Sequence, residues 1–349
     1  MQESVNLSKY TTLRSGGQTS YFAIARDEND MKEALEFAVR EGLCVHVIGE
    51  GSNILVSDQD FSGLIIKNDM KGMEWGDENL LSVFVDVKAG ESWDGFVKET
   101  TRKDLWGLEN LSGIPGTVGA SPIQNIGAYG VEVKDSVVLI KAINKKTLEE
   151  KDFVSSDCDF SYRNSFFKTK QGRNWIILSV KFQLKKEGNA HVEYKDIAKI
   201  IQDSGFKVHE LNPKDIRKIV LDIRSKKFPD LNVVGTAGSF FKNPIVSKEK
   251  YDELKKEFPD LPAYITTIEV ENTPIIRCKI PLAWILDNVL GKRGFKKGEV
   301  ALFEKQPLVL VNFGKASSKE IDEFATEIEK EIFEKTGIKV EREVNMINF

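Results

Sequence analysis

Three polar side chains stand in sequence contexts that suit reaction chemistry. Ser239 lies in GTAGSFFKNP (235–244), where a preceding glycine and a following proline predict a fixed turn. A serine held there could donate a proton, or it could serve only as a turn former. Arg163 lies among aromatic residues in SYRNSFFK (161–168), where its guanidinium could clamp a carboxylate through two hydrogen bonds or could be a solvated surface charge. Glu343 lies in VEREVNMI (340–347), on a polar strand face that either meets solvent or lines a cleft.

A short glycine-rich segment follows a predicted strand near residue 48 and could hold a phosphate. It consists of Gly49, Glu50, Gly51, Ser52 and Asn53. Its small residues would let backbone N–H groups point at an anion. It is not a dinucleotide fingerprint, because Ile54 occupies the place of the third glycine and a strand, not a helix, follows. A plain turn between strands is the alternative.

A longer glycine-rich segment, SGIPGTVGASPIQNIGAYG (112–130), interleaves glycine with apolar residues. This mixture predicts a buried loop that lets a flat ligand approach the backbone. Gln124 and Asn125 could offer amide donors and acceptors to a heterocycle. An irregular crossover between domains is the alternative.

A basic segment, RSKKFPD (224–230), lies at a predicted domain boundary. Lys227 follows Arg224 and Lys226 there, and such a cluster could hold a diphosphate. A solvated helix end is the alternative.

Alternating strands and helices must position these side chains. A helix after Asp27 is predicted to end at Gly42, and a capping box of Ser317 and Glu320 predicts the start of the last helix. The predicted buried faces of these two helices are Met31, Ala34, Leu35, Ala38 and Val39, and Ile321, Phe324, Ala325, Ile328 and Ile332. Other helices are predicted at 92–101, 247–258 and 281–290, and strands at 44–48, 63–67, 81–90, 137–144, 175–184, 307–314 and 338–347. The class is therefore α/β or α+β.

Composition excludes several classes of protein. The 349 residues suit two or three domains, and a hydrophobic fraction of 41% excludes a disordered chain. Acidic residues exceed basic ones by 54 to 50, so a nucleic-acid partner is not expected. We expect no membrane span, no signal peptide, no disulfide and no metal site, and the three scattered cysteines suit a reducing cytoplasm.

Seven segments taken together carry a family resemblance. They are TTLRSGG (11–17), IGEGSNILV (48–56), GLENLSGIPGTVGASPIQNIGAYGVE (107–132), YRNSFFK (162–168), GTAGSFFKNP (235–244), LAWILD (282–287) and EREV (341–344). In this order they closely resemble the UDP-N-acetylenolpyruvoylglucosamine reductase family, also called UDP-N-acetylmuramate dehydrogenases. VEYKDI (192–197) resembles the longer class of that family, with a tyrosine loop.

The resemblance implies an α+β fold. Two subdomains would form an FAD-binding cradle of the vanillyl-alcohol-oxidase (PCMH) type, followed by a C-terminal α/β substrate domain. The implied boundaries are 1–70 for the first subdomain, joined by the C-terminal strand 344–349, then 71–228 and 229–343.

The resemblance also implies a reaction in peptidoglycan precursor synthesis, and hence in cell wall biogenesis, cell shape and cell division. NADPH would reduce a non-covalent FAD, whose N5 would pass hydride to the vinyl carbon of UDP-N-acetylglucosamine enolpyruvate to give UDP-N-acetylmuramate. Arg163 would stabilise the developing charge on the carboxylate, with Glu343 on the same side, and Ser239 would give the proton. We expect a cytoplasmic monomer.

The binding residues implied by the resemblance fall into two sets. Those for the substrate are Tyr194, Lys227, Asn243 and Gln306. Those for FAD are Gly49, Glu50, Gly51, Ser52, Asn53, Gly116, Gly119, Ala120, Gln124, Asn125, Gly127, Ala128 and Tyr162. Two other functions stay open: an FAD-dependent oxidase on the same cradle, and a nucleotide-sugar-binding protein without catalysis.

Overall fold

The computed structural model describes residues 1–270 and 273–349. The strands are β1 (Gln2–Asn6), β2 (Gln18–Ala25), β3 (Cys44–Ile48), β4 (Ile54–Val56), β5 (Phe61–Asn68), β6 (Met73–Glu78), β7 (Ser82–Lys88), β8 (Gly127–Ala128), β9 (Val131–Glu132), β10 (Val137–Asn144), β11 (Glu150–Val154), β12 (Trp175–Lys185), β13 (Gly235–Ser239), β14 (Ile245–Ser247), β15 (Tyr264–Val270), β16 (Thr273–Lys279), β17 (Lys296–Lys297), β18 (Val300–Phe303), β19 (Gln306–Asn312) and β20 (Asn345–Ile347). The α-helices are α1 (Glu28–Arg40), α2 (Trp93–Arg102), α3 (Lys195–Ser204), α4 (Pro213–Lys227), α5 (Lys248–Glu257), α6 (Leu282–Trp284) and α7 (Ser318–Thr336).

The chain divides into two compact units. The first unit comprises Met1–Val5, Gln18–Gly51 and Asp60–Lys226, and the second comprises Asn6–Gly17, Ser52–Gln59 and Lys227–Phe349. The finer division into 1–70, 71–228 and 229–343 stays a prediction. Among the described residues, none of the helices is both long enough and apolar enough to cross a bilayer.

Two main sheets share the core of the first unit. One has the order β1-β2-β5-β3, in which β2 and β3 both run parallel to β5. The other is antiparallel, with the order β11-β10-β12-β7-β6. Leu64 of the first sheet and Val180 of the second belong to one buried cluster with Met31 of α1 and Trp93 of α2. Because these apolar side chains pack in one layer, they fix the positions of the strands and of the loops that follow them.

Helix α1 begins and ends close to where the sequence predicts. The Asp27 carboxylate accepts a hydrogen bond from the Asp30 N–H, which satisfies one of the unpaired amides of the first turn. The predicted apolar face of α1 is buried except at Val39. Val39 is 52% exposed, so the prediction that this residue is buried is wrong. Val39 lies in the last turn of α1, outside the buried stripe formed by Met31, Ala34, Leu35 and Ala38.

The second unit is built on the sheet β13-β19-β18-β17, the smaller sheet β14-β16-β15, and α7. The predicted capping box of Ser317 and Glu320 is present, and Gly337 ends α7 with φ of +67°. All five predicted apolar residues of α7 are buried. The final strand β20 pairs in parallel with β4, within the same unit.

Two predicted elements of the second unit differ in the structure. The predicted helix 281–290 is a short α6 followed by a π-helical turn over Ile285–Val289, in which the Leu290 N–H reaches the Ile285 carbonyl over 3.1 Å. The predicted strand 338–347 is wrong as a continuous element. It contains an isolated bridge at Arg342 and then β20, because its partner strand changes along the way. The α+β class is confirmed, since antiparallel pairs predominate alongside the parallel pairs β2–β5, β3–β5 and β4–β20.

Candidate active site

The two glycine-rich segments meet in the first unit. The Gly116 N–H donates to the Glu50 carboxylate over 3.0 Å. A Cβ placed on Gly49 would lie 2.4 Å from Thr117 Oγ1, so the Gly49 backbone approaches the Thr117 side chain more closely than a side chain at position 49 would allow. Gly51 has φ of +67°, a conformation that favours glycine. The turn after β3 and residues 116–117 of the second segment therefore pack directly against each other.

The second segment also runs along the residues that lead into α2. The Gly116 carbonyl accepts from the Trp93 N–H over 2.9 Å, and the Gly119 N–H donates to the Ala89 carbonyl over 2.8 Å. A Cβ on Gly119 would lie 2.5 Å from Ala89 Cβ, which excludes larger residues there. Ala120, the next predicted cofactor contact, is exposed.

Asn125 holds the middle of the second segment. It is buried, has φ of +46°, and its Nδ2 donates to a Glu132 carboxylate oxygen (2.9 Å) and to the Ser161 carbonyl (3.1 Å). Its Oδ1 accepts from the Lys134 N–H over 3.2 Å. The amide that the sequence offers to a heterocycle is therefore engaged in shaping the loop. The neighbouring Gln124 is half-buried.

Arg163 is held against the end of that segment by a tight turn. Ser161 and Asn164 exchange two backbone hydrogen bonds of 3.1 Å, and Arg163 between them has φ of +53°. Its Nη2 donates to the carbonyl of Gly127 in β8 over 2.6 Å, and Ala128 completes that strand. A non-glycine residue in a left-handed conformation carries strain that is concentrated at functional sites.

The ring of Tyr162 lies beneath this arginine. The Arg163 guanidinium carbon is 5.4 Å from the ring centroid, which is the geometry of a cation–π contact. Both side chains are half-buried. The structure thus brings four predicted residues of the first unit together: Gly127, Ala128, Tyr162 and Arg163.

A clamp on Gly113, which the sequence did not reveal, anchors the start of the second segment. The Gly113 N–H donates to Asp94 Oδ1 (2.5 Å), and its carbonyl accepts from Arg224 Nε (3.0 Å). Arg217 binds the Asp94 carboxylate through two hydrogen bonds of 2.6 and 2.7 Å. Burial alone would raise the pKa of Asp94, but the bonds from Arg217 and Gly113 outweigh it and lower that pKa. Asp94 lies on α2, whereas Arg217 and Arg224 lie on α4, far away in the sequence. No local sequence motif therefore marks this clamp.

Tyr194, the predicted substrate residue of the first unit, lies immediately before α3. It is 41% exposed, and its ring packs edge-on against Tyr129 with the centroids 5.2 Å apart. Burial raises the pKa of Tyr129, although Arg224 nearby acts in the opposite direction. Tyr194 therefore adjoins the last residues of the second glycine-rich segment.

Ser239 and Glu343 are neighbours in the second unit. Ser239 is the last residue of β13, directly after Gly238 with φ of +72° and a shift in the register against β19. Such an irregularity turns the following side chain out of the regular ladder. The Glu343 N–H donates to the carbonyl of Phe240 over 2.8 Å, so the backbone of Glu343 lies beside the residue that follows Ser239. Both Ser239 and Glu343 are half-buried.

The remaining part of the first glycine-rich segment, Ser52 and Asn53, belongs to the second unit. Asn53 Nδ2 donates to the Glu343 carbonyl over 3.3 Å, and the Asn345 N–H donates to the Asn53 carbonyl over 3.0 Å. A predicted cofactor residue and a predicted catalytic residue are therefore in direct contact.

The other predicted substrate residues lie at element ends. Lys227 is the last residue of α4, and Gln306 begins β19, whose Val309 pairs with Ser239. Asn243 Oδ1 accepts from the Leu282 N–H over 2.9 Å and so caps the start of α6. Within the described part of the chain, no cluster of three or more His, Cys, Asp or Glu residues is placed to hold a metal ion.

Comparison with known proteins gives this architecture its class. Residues 19–147 match the model of a FAD binding domain, and residues 229–347 match the C-terminal domain of UDP-N-acetylenolpyruvoylglucosamine reductase. A crystal structure of UDP-N-acetylenolpyruvylglucosamine reductase from Thermus caldophilus has the same fold, with a TM-score of 0.66 and 21% identity, covering 99% of this chain and 98% of that one. Fold and site together define an α+β FAD-binding protein.

Two curated relatives identify the family. Both are named UDP-N-acetylenolpyruvoylglucosamine reductase. The one from Pseudomonas syringae pv. tomato is 38% identical and aligns over 99% of this chain and 98% of its own length. The one from Flavobacterium johnsoniae is 37% identical over 99% of each chain. The chain belongs to the UDP-N-acetylenolpyruvoylglucosamine reductase family, and the resemblance seen in the sequence is confirmed.

The residues present fit FAD. Its pyrophosphate needs a backbone turn that can receive an anion, and the turn after β3 combines Gly49, where a Cβ would meet Thr117 Oγ1, with Gly51 in the left-handed conformation. Its flat ring needs a loop with apolar and amide groups, and half-buried Gln124 with Gly127 and Ala128 supplies one.

Proposed function

We propose that this protein is an NADPH-dependent flavoenzyme that reduces UDP-N-acetylglucosamine enolpyruvate to UDP-N-acetylmuramate, in peptidoglycan precursor synthesis. One observation carries the proposal beyond family membership. The Glu343 N–H donates to the Phe240 carbonyl over 2.8 Å, and this contact supports a shared role for Glu343 and for Ser239, which precedes Phe240 and would give the proton.

FAD would be held without a covalent bond by the two glycine-rich segments and Tyr162. When bound, it supplies the hydride chemistry between NADPH and the vinyl carbon of the substrate. The contacts that support this assignment are the Glu50–Gly116 hydrogen bond and the close approach of Gly49 to Thr117.

Arg163 would stabilise the negative charge that spreads onto the enolpyruvyl carboxylate when hydride is added. A guanidinium fixed before the reaction stabilises such charge without reorganisation, which is often the largest catalytic contribution. The tight turn at 161–164 and the bond to the Gly127 carbonyl hold Arg163 in this way.

Ser239 would give the proton to the carbon that bears the ether oxygen. A serine hydroxyl is a weak acid, so its orientation must be fixed and its neighbours must favour the transfer. Glu343, half-buried beside it, would need to be protonated or hydrogen-bonded to sit near an anion. The substrate would be bound by Tyr194, Lys227, Asn243 and Gln306. We propose a cytoplasmic monomer.

The test follows the visible absorption band of oxidised flavin in the purified holoprotein without oxygen. NADPH is added first and the enolpyruvyl sugar nucleotide second. We expect the band to bleach and then to return. A band that bleaches but returns only with oxygen would favour an FAD-dependent oxidase. Binding of the sugar nucleotide with no flavin band, even after incubation with FAD, would favour a binding protein without catalysis.

A further inference from the structure

Arg342, which none of the predicted roles uses, ties the segment that carries Glu343 to helix α7. Its Nε donates to Glu329 Oε1 over 2.6 Å, its Nη1 binds the Asp322 carboxylate, and its Nη2 donates to Thr326 Oγ1 over 2.8 Å. Its side chain is only 18% exposed. Three positions along one face of α7 therefore hold a single guanidinium.

The same guanidinium also packs on Phe240, the residue that follows Ser239 and accepts the hydrogen bond from Glu343. Its carbon lies 5.8 Å from the centroid of the Phe240 ring, which is fully buried. The backbone of Phe240 accepts from the Glu343 N–H, and its own N–H donates to the Leu308 carbonyl in β19 over 2.8 Å. Arg342 also forms an antiparallel bridge with Phe241.

The ion pair between Arg293 and Asp287, also in the second unit, lacks this relationship. Arg293 binds the Asp287 carboxylate with Nε over 2.7 Å, but it is half exposed. Exposed pairs of this kind contribute little to stability. Arg342 differs because it joins a helix, a strand end and the final segment at the point where Ser239 and Glu343 meet.

We infer that Arg342 is a positioning residue for the proton-transfer half of the reaction. By binding α7 and packing on Phe240, it fixes the 341–345 segment against the end of β13 and so sets the Glu343 carboxylate relative to the Ser239 hydroxyl. The inference rests on the proposed function. A displacement of about 1 Å at reacting groups is enough to cost about a hundredfold in rate.

The test measures both half-reactions separately in Arg342→Met and Arg342→Lys holoenzymes. For Arg342→Met we expect flavin reduction by NADPH to stay within about twofold of wild type, and reoxidation by the enolpyruvyl substrate to slow by about tenfold or more. Arg342→Lys, which keeps the charge but not the planar fork, should recover part of the rate. Arg293→Met is the matched control and should change neither step.

A double-mutant cycle separates positioning from general stability. If Arg342 acts through Glu343, adding Arg342→Met to Glu343→Gln should slow reoxidation by less than about threefold further. A full additive loss, or an equal slowing of both half-reactions, would overturn the inference.

If Arg342→Met does not fold, the cause would be the carboxylates of Asp322 and Glu329, which lose the guanidinium that binds them. The variant that adds Asp322→Asn and Glu329→Gln removes those charges, and it should show the same selective loss. Normal reoxidation in this variant or in Arg342→Met would overturn the inference alone. A wild-type enzyme that the substrate fails to reoxidise would overturn the proposed function, and the inference with it.

Discussion

The guanidinium of Arg163 donates to the carbonyl of Gly127 over 2.6 Å, so the candidate catalytic cation is bonded directly to a strand of the second glycine-rich segment. This contact depends on a left-handed φ of +53° at an arginine. Glycine would adopt this backbone geometry more easily than arginine, whose charge the proposed reaction would use. Stability and function are therefore separable at this position.

Arg163→Gly and Arg163→Ala provide that separation. Both remove the guanidinium, so turnover should fall by about a hundredfold or more in each, while FAD stays bound. Glycine relieves the left-handed strain and alanine does not, so the glycine variant should have a free energy of unfolding about 1 kcal/mol higher than the alanine variant. Urea unfolding and steady-state kinetics measure the two effects. Loss of FAD in both variants would make Arg163 structural.

Ser239→Ala should affect only one half-reaction. Without the hydroxyl, reoxidation of the flavin by the enolpyruvyl substrate should slow by about a hundredfold to ten-thousandfold, the usual contribution of a general acid. Reduction by NADPH should continue at the wild-type rate in stopped-flow traces. Ser225→Ala, at an exposed serine of α4, is the matched control. Two unchanged half-reactions in Ser239→Ala would remove Ser239 from the mechanism.

Gly49→Ala should weaken FAD binding by about tenfold or more, because the new Cβ would lie 2.4 Å from Thr117 Oγ1 and 2.9 Å from its Cγ2. Thr117→Ala removes both of those atoms, so the double variant should recover much of the affinity. Titration of the apoprotein with FAD, followed by flavin fluorescence, gives the dissociation constants. Additive losses in the double variant would show that the two segments do not form one binding surface.

Glu109→Gln tests a buried carboxyl near the start of the second glycine-rich segment. Glu109 is 1% exposed, and burial raises its pKa above the ordinary 4.5, although the Gly107 N–H binds one oxygen over 2.7 Å. Because the folded-state pKa is raised, the protonated form stabilises the fold below pH 4.5, and that contribution is lost as the pH rises through the folded-state pKa.

Glutamine resembles the protonated acid, so Glu109→Gln should be more stable than wild type at neutral pH, and the difference should shrink in acid. Urea unfolding of both proteins with excess FAD, at neutral pH and in acid, measures this difference in the free energy of unfolding. Glu36→Gln, at an exposed position of α1, should show no such trend. A difference that stays constant with pH would contradict the assignment.

Much of the local structure was determined by the sequence alone. The Asp27 cap, the buried face of α7 and its capping box depend on spacing and side-chain type within one or two turns. The seven family segments depend on the same kind of local information, and they carried the identification of the family. Ser239, Arg163 and Glu343 could be singled out in this way.

Tertiary structure decided how separate segments meet, because hydrogen bonds and burial between them have no local signal. The predicted strand 338–347 reduces to a bridge at Arg342 and to β20, since Phe241 and then β4 pair with it in turn. The Asn125 amide faces Glu132, Ser161 and Lys134, and Gly113 is clamped by helices distant in sequence. The neighbourhood of Ser239 and Glu343, and the place of Arg342 behind it, exist only once the final segment has folded back onto the end of β13.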